Sequence, residues 1–226
     1  PAPRARGHAI EVRLYAEEPA ADYQPQSGTL TAFEIPRHGG VRVDAGYETG
    51  NEVSTFYDAM LAKVVAYAPS RDQAARMLAD ALSRARLHGV TTNRDHLVGL
   101  LRDPEFLAGR VSTTSVESHA PGPSGARGDH ATAAALALAE HARVARTVQH
   151  GVAVSWRNVP SRPQRTVLTT RATGDPVTVE WSGGRDGYAV EGLTVRAAGP
   201  TSVTLERDGV ATTYAVSVSG DHVDVD

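Results

Sequence analysis

Residues 7–19 run Gly7-His8-Ala9-Ile10-Glu11-Val12-Arg13-Leu14-Tyr15-Ala16-Glu17-Glu18-Pro19, and their alternation decides how the first half of the chain folds. From His8 to Tyr15 the aliphatic Ile10, Val12 and Leu14 alternate with Glu11, Arg13 and Tyr15. Successive strand residues point to opposite faces. The period of two therefore predicts a strand with an aliphatic face toward a core and a second face carrying Glu11 and Arg13. Glu18-Pro19 ends it, since proline has no N–H to give to a ladder. Outward from this strand, others are expected at residues 29–33 and 41–44, punctuated by Ser27-Gly28 and Gly39-Gly40. Residues 60–67 form a nearly continuous apolar run, the length of a strand buried on both faces. The period then changes. Ser70 with Gln73 forms a capping box, and Ala74, Leu78, Ala81, Leu82 and Ala85 follow at helical spacing until Gly89 stops the helix. Thr92 with Asp95 starts a second helix, and Asp103-Pro104 starts a short third with proline at its first position.

Beyond residue 118 the composition changes. Residues 119–130 hold two prolines and three glycines and no large apolar side chain, so they read as a linker. The expected division is a first domain over 1–119, a linker over 120–129 and a second domain over 130–226. The first part carries 13 basic and 15 acidic residues, the remainder 10 and 11, so neither is a charged interaction tail. An alanine-rich helix is expected over about 129–150, and its small side chains let neighbours approach on several faces. After Gly151 short β-rich runs alternate with turn signals. Asp208-Gly209 is the strongest hairpin signal among them, and seven or eight strands are expected in an antiparallel meander curling into a barrel. The fold class is thus α+β: a small mixed sheet with helices, then an antiparallel barrel or meander around one long helix.

The 226 residues suit one large or two modest domains. A formal net charge of −3 argues against a nucleic-acid or anionic-membrane surface. No cysteine is present, which excludes disulfides and thiolate chemistry. No apolar run is long enough to span a membrane and residues 1–6 lack the apolar core of a signal peptide, so a cytoplasmic protein is expected. The chain lacks an initiator methionine and reads as a fragment or processed product. Of 23 basic residues only Lys63 is lysine. There is no glycine-rich phosphate loop and no pair of histidines four apart, so neither a P-loop nor a helical zinc site is expected. Arg157, Arg162 and Arg165 crowd one loop around Trp156, which reads as a solvated loop or as a docking loop for an acidic partner. Arg13, taken alone, reads as a surface ion pair.

Gly7 to Pro19 also resembles the strand that opens the C-terminal domain of biotin carboxylases. Four further phrases resemble that family in order: Gln24-Pro25-Gln26-Ser27-Gly28, Gly40-Val41-Arg42-Val43-Asp44, Tyr57-Asp58-Ala59-Met60-Leu61-Ala62-Lys63, and Gly89-Val90-Thr91-Thr92-Asn93-Arg94-Asp95. Phe106 to Glu117 resembles its ending. Residues 130–226 resemble, more loosely, the domain that links the carboxylase half of acyl-CoA carboxylase α subunits to the carboxyltransferase β subunit, with Trp156-Arg157-Asn158 and Pro163-Gln164 as the most recognisable phrase.

The resemblance implies an ATP-dependent ligase of fatty acid or acyl-CoA metabolism. In that family ATP activates bicarbonate as carboxyphosphate, and the carboxyl group passes to a ureido nitrogen of protein-linked biotin. It implies that Arg13 contacts bicarbonate and the biotin ureido oxygen, that Thr113 stands at the adenine side, and that Arg42 corresponds to a dimer contact of some relatives. Asp58 is expected to orient Arg13. The implied cofactors are biotin, ATP and magnesium. The magnesium and phosphate ligands of the family lie in an N-terminal ATP-grasp region and the biotin in a carrier domain, neither of which has a counterpart in these residues; Lys63 is read as structural, not as a biotinylation site. The implied partners are these two parts and the β subunit, in a hetero-oligomer, and the isolated chain is expected to be inactive. The alternative reading is a non-catalytic interaction module that docks a β subunit.

Overall fold

The computed structural model describes residues 4, 6–114, 128–148, 154, 162–171, 174–184 and 186–226. They fall into two compact units, Pro1–Ser124 and Gly125–Asp226. Residues 115–127, which hold most of the expected linker, lie outside the described residues; Gly128 and Asp129, assigned above to that linker, instead begin a helix.

In the first unit the predicted opening strand is β1, His8–Tyr15, with Ile10, Val12 and Leu14 buried and Glu11 and Arg13 exposed. Short strands follow: β2 (Glu17–Glu18), β3 (Gln24–Pro25), β4 (Gly28–Thr29) and β5 (Ala32–Glu34). After them come β6 (Val41–Ala45), β7 (Glu52–Val53) and β8 (Met60–Ala68). The central sheet has the order β1-β8-β6, and each pairing is antiparallel, so the small sheet expected to be mixed is antiparallel throughout. The α+β class itself stands. Strand β8 is not buried on both faces. Ala62, Val64, Ala66 and Ala68 are buried while Lys63, Val65 and Tyr67 face the other way, and Val65 and Tyr67 hid this alternation in the sequence.

Helix α1, Arg71–Ser83, covers the aliphatic face of the sheet. Ser70 Oγ accepts the Gln73 N–H at 3.3 Å, as the capping signal predicts. Ala74, Ala75, Leu78, Ala79 and Leu82 pack on Ile10, Val12, Val64 and Ala66. The helix ends at Ser83, not at Gly89, because a three-residue strand, β9 (Arg86–His88), intervenes and pairs with β5. Gly89 has another duty: its φ is +102°, and a Cβ there would sit 1.9 Å from the Thr29 carbonyl oxygen. The strand expected over 29–33 is broken in two for a related reason, since β4 pairs with β7 and β5 with β9. Helix α2, Arg94–Arg102, starts after Asn93 rather than Thr92, and α3, Pro104–Leu107, is capped by Asp103 as predicted.

The second unit is built on α4, Gly128–Val144, six residues shorter at its end than the alanine pattern suggests. Seven consecutive residues, Ala131 to Ala137, are buried, so the helix is enclosed on every side. The meander comprises β10 (Gln164–Thr169), β11 (Pro176–Gly184), β12 (Gly187–Ala189), β13 (Thr194–Ala198), β14 (Ser202–Arg207), β15 (Val210–Ser219) and β16 (His222–Val225). It is antiparallel in two sheets, β10-β11-β12 and β13-β14-β15-β16, bridged by Val190 and Leu193. Asp208-Gly209 makes the predicted two-residue turn, both residues having positive φ.

Candidate functional site

The face of the first sheet turned away from α1 carries the charge. Register sets Arg13, Lys63 and Asp44 in one row across β1, β8 and β6, and Glu11, Val65 and Arg42 in the next. Arg13 is 60% exposed, and its nearest carboxylate is Glu11, with Nε to Oε1 at 3.9 Å. At that separation the pair is weak and the guanidinium keeps its donors for another group. Arg42 is committed: its Nε and Nη2 reach Asp44 at 2.9 and 2.8 Å, and this contact holds the Asp44 carboxyl below the usual range.

The backbone beneath Arg13 is fixed from inside. Ladder register shifts between Leu14 and Tyr15, a β-bulge of the kind that re-aims a side chain at a strand end. Asn93, 6% exposed, closes that end: its Nδ2 donates to the Arg13 carbonyl at 3.2 Å, its Oδ1 accepts from the Tyr15 N–H at 3.0 Å, and its own N–H donates to the Tyr15 carbonyl at 3.1 Å. Sequence reasoning missed Asn93, although it lies in one of the quoted phrases. An Asn preceding a helix reads as a cap, and here it makes no side-chain cap bond.

The structure does not bring Asp58 to Arg13. Asp58 Oδ1 accepts the Met60 N–H at 2.9 Å, and its charge faces Glu17, whose carboxyl is raised above the usual value by burial first and Asp58 second. Thr113 is exposed and helical, beyond α3, while Lys63, read above as structural, stands within the Arg13 row. An open cleft of about 630 Å³ beside Lys63 is lined by Arg37, Asp44, Gly46 and Met60. A second, of about 470 Å³, lies between β5 and β6 with Phe33, Tyr47, Arg84 and Arg86 around it. Of the basic loop, Arg157 lies outside the described residues, as do Trp156 and Asn158; Arg165 stands opposite Glu180 on the β10–β11 ladder. Among the described residues no group of three or more His, Asp or Glu side chains could hold a metal ion. Nor is any described helix long and apolar enough to cross a membrane.

Known proteins resemble this first unit. Residues 11–118 match the family described as the biotin carboxylase C-terminal domain. The α subunit of mitochondrial methylcrotonoyl-CoA carboxylase from Dictyostelium discoideum is 38% identical over 117 residues, which are 51% of this chain and 17% of that protein. Biotin carboxylase from Halalkalibacterium halodurans is 37% identical over 50% of this chain and 25% of its own length. The chain thus spans a quarter or less of these relatives. Among solved structures, the biotin carboxylase domain dimer of Hydrogenobacter thermophilus 2-oxoglutarate carboxylase, in complex with MgADP, ADP and bicarbonate, is similar with a TM-score of 0.50 at 31% identity, over 51% of this chain and 26% of that one. Residues 11–118 therefore match the biotin carboxylase C-terminal domain, and the relatives of that stretch are biotin carboxylases and α subunits of biotin-dependent carboxylases.

Proposed function

We propose that this chain is part of the biotin carboxylase half of an acyl-CoA carboxylase α subunit. Its first unit supplies one wall of the carboxylation site, and its second docks a carboxyltransferase β subunit in the cytoplasm. The family's ATP-grasp residues, magnesium ligands and biotin carrier have no counterpart in these 226 residues, which on their own are expected not to turn over ATP. Thr113 would stand on the adenine side.

The observation that carries this reading is Arg13: an exposed guanidinium on backbone that Asn93 anchors next to a bulge, with only a distant carboxylate beside it. Its planar fork stays charged at all working pH values and matches an oxyanion with two parallel donors. Bound biotin would supply a ureido group whose oxygen gains negative charge as its nitrogen loses the proton that the carboxyl group replaces. Arg13 meets that charge from a strand whose backbone is fixed in advance, which limits the reorganisation needed when the charge develops.

Replacing Arg13→Ala in the complete carboxylase subunit is expected to lower biotin carboxylation by roughly 10²–10³-fold, or about 3–4 kcal/mol of lost stabilisation, with subunit assembly unchanged. Normal carboxylation by the assembled variant would overturn the assignment, and lost assembly in its place would mark the unit as an interaction module.

A further inference from the structure

The sheet β1-β8-β6 ends on β6, and the ladder bonds show what that edge leaves open. The Tyr67 N–H donates to the Gly40 carbonyl at 2.9 Å, and the Gly46 N–H to the Leu61 carbonyl at 3.1 Å. In an antiparallel pair bonded positions alternate with unbonded ones, so Gly40, Arg42, Asp44 and Gly46 turn their backbone groups to β8. The N–H and C=O groups of Val43 and Ala45 then point away from the sheet, while the Val41 N–H is taken by the His38 carbonyl. Among the described residues β6 pairs with β8 alone. The opposite edge is closed where Asn93 takes the Arg13 carbonyl and both backbone groups of Tyr15. An unpaired edge is normally blunted by lysine, proline or a bulge. The outward positions of β6 are Val41, Val43 and Ala45, and its register has no shift. Its two charges, Arg42 and Asp44, lie on the other face and bind each other. Both clefts described above run along this edge and share Arg37, Val43 and Ala45. The one of about 470 Å³ has an apolar floor of Phe33, Ile35 and Tyr47. The two ends differ in charge. Arg37, before β6, is exposed, and Asp44, to which it is attracted, already binds Arg42. Glu48, beyond β6, is exposed and has no ion pair among the described residues.

We propose that the β6 edge docks one extended segment of a partner polypeptide, which adds to the sheet as a fourth, antiparallel strand. Its main chain bonds the outward groups of Val43 and Ala45, which recur about 7 Å apart along the strand. Every second side chain of the segment is apolar and enters the cleft over Phe33, Ile35 and Tyr47. Antiparallel addition, the pairing used throughout this sheet, sets the polarity: a carboxylate near the segment's C-terminal end meets Arg37, and a cation near its N-terminal end meets Glu48. The site lies two strands from Arg13 and does not depend on the role given to that residue.

The probe is a short peptide, blocked at both ends, that alternates valine and threonine between an N-terminal lysine and a C-terminal glutamate. Its twin has the two charged residues exchanged. Each is titrated into the 226-residue chain by calorimetry, and amide hydrogen exchange is followed by NMR. In the free chain the Val43 and Ala45 amides should exchange quickly and those of Arg42 and Asp44 slowly. The first peptide should bind saturably and slow Val43 and Ala45, and its twin should bind about tenfold more weakly. Val43→Pro should weaken the first peptide about tenfold or more and keep the fold, because that N–H is outside the ladder and an edge strand tolerates proline. Arg37→Gln should shrink the preference for the first peptide over its twin, and this comparison decides the matter should Val43→Pro fail to fold. Val43 and Ala45 amides as slow as that of Arg42 in the free chain would show an edge already covered and overturn the site. Equal binding of the two peptides, or full binding by a folded Val43→Pro chain, overturns it as well. A chain that binds neither peptide but dimerises with rising concentration, and loses this in Val43→Pro, gives the edge to a second copy and ends the proposal of a partner.

Discussion

Each unit of this chain contains a buried polar side chain that ties distant segments together, and the two clamps differ in kind. In the first unit Asn93 joins the start of α2 to the end of β1 with neutral amide hydrogen bonds. In the second, Glu140, 6% exposed, accepts from the Tyr188 hydroxyl at 2.6 Å and from Arg143 Nε and Nη2 at 2.9 and 2.7 Å, fastening α4 to β12. A neutral clamp can sit beneath a charged face without disturbing its electrostatics. A carboxylate clamp needs its own cation and makes its unit responsive to pH. The first unit thus anchors the charged strand β1 with a neutral clamp, whereas the second uses charge to hold its helix.

The largest effect that would break this contrast lies at Glu140. Burial alone pushes its carboxyl up, but the hydrogen bonds from Arg143 and Tyr188 outweigh it and hold it below the ordinary glutamate value of 4.5. A folded-state pKa depressed in this way gives stability that is complete above the unfolded pKa and lost as pH falls through the folded one. Glu140→Ala should remove about 3 kcal/mol at pH 7, because it leaves Tyr188 and Arg143 without their buried partner. Both tryptophans of the chain lie in this unit, so urea unfolding followed by tryptophan fluorescence reads it directly. Glu140→Gln should flatten the acid limb of the stability profile below about pH 4.5. An unchanged acid limb in that variant would show that other carboxylates control it.

Asn93 offers the matching test in the first unit. Asn93→Ala removes two hydrogen bonds to buried backbone groups and should cost about 2 kcal/mol, independent of pH between about 4 and 8 because no titratable group is lost. Hydrogen exchange at Tyr15 is the most direct readout, since its N–H loses its acceptor. A pH-dependent loss would mean that His96, one turn along α2, takes part in the clamp.

What was legible in the sequence follows the same division between local and distant causes. The β1 alternation, the Ser70 and Asp103 caps and the Asp208-Gly209 turn each depend on a few adjacent residues, and the structure has them. Strand β9 was hidden because three residues carry no period and gain their identity only by pairing with β5. The Arg13–Lys63–Asp44 row was hidden because it exists only in cross-strand register. Arg13 itself was marked by its motif and not by any physical signal in the chain. Burial of α4 on every side, by contrast, was written in its alanines, since a helix with a single contact face, like α1, has no need of small residues all round.

The two long helices also begin differently, and this is the smallest of the expected effects. Helix α1 is started by its own neighbour: the Ser70 hydroxyl satisfies one of the four N–H groups that a helix leaves unpaired. Helix α4 is held at its start from far along the chain. Asp129, in its first turn, receives Arg207 Nη2 at 2.6 Å and Nε at 3.2 Å, and this contact holds the Asp129 carboxyl below its usual range. Ser70→Ala should therefore cost about 1 kcal/mol, the typical worth of a cap. Ser70→Gly should cost only a few tenths, because glycine exposes the same N–H groups to water. No local replacement before Gly128 should be able to substitute for Arg207 at α4. Equal costs for Ser70→Ala and Ser70→Gly would show that the hydroxyl is not the cap and that α1, like α4, is started by tertiary contacts.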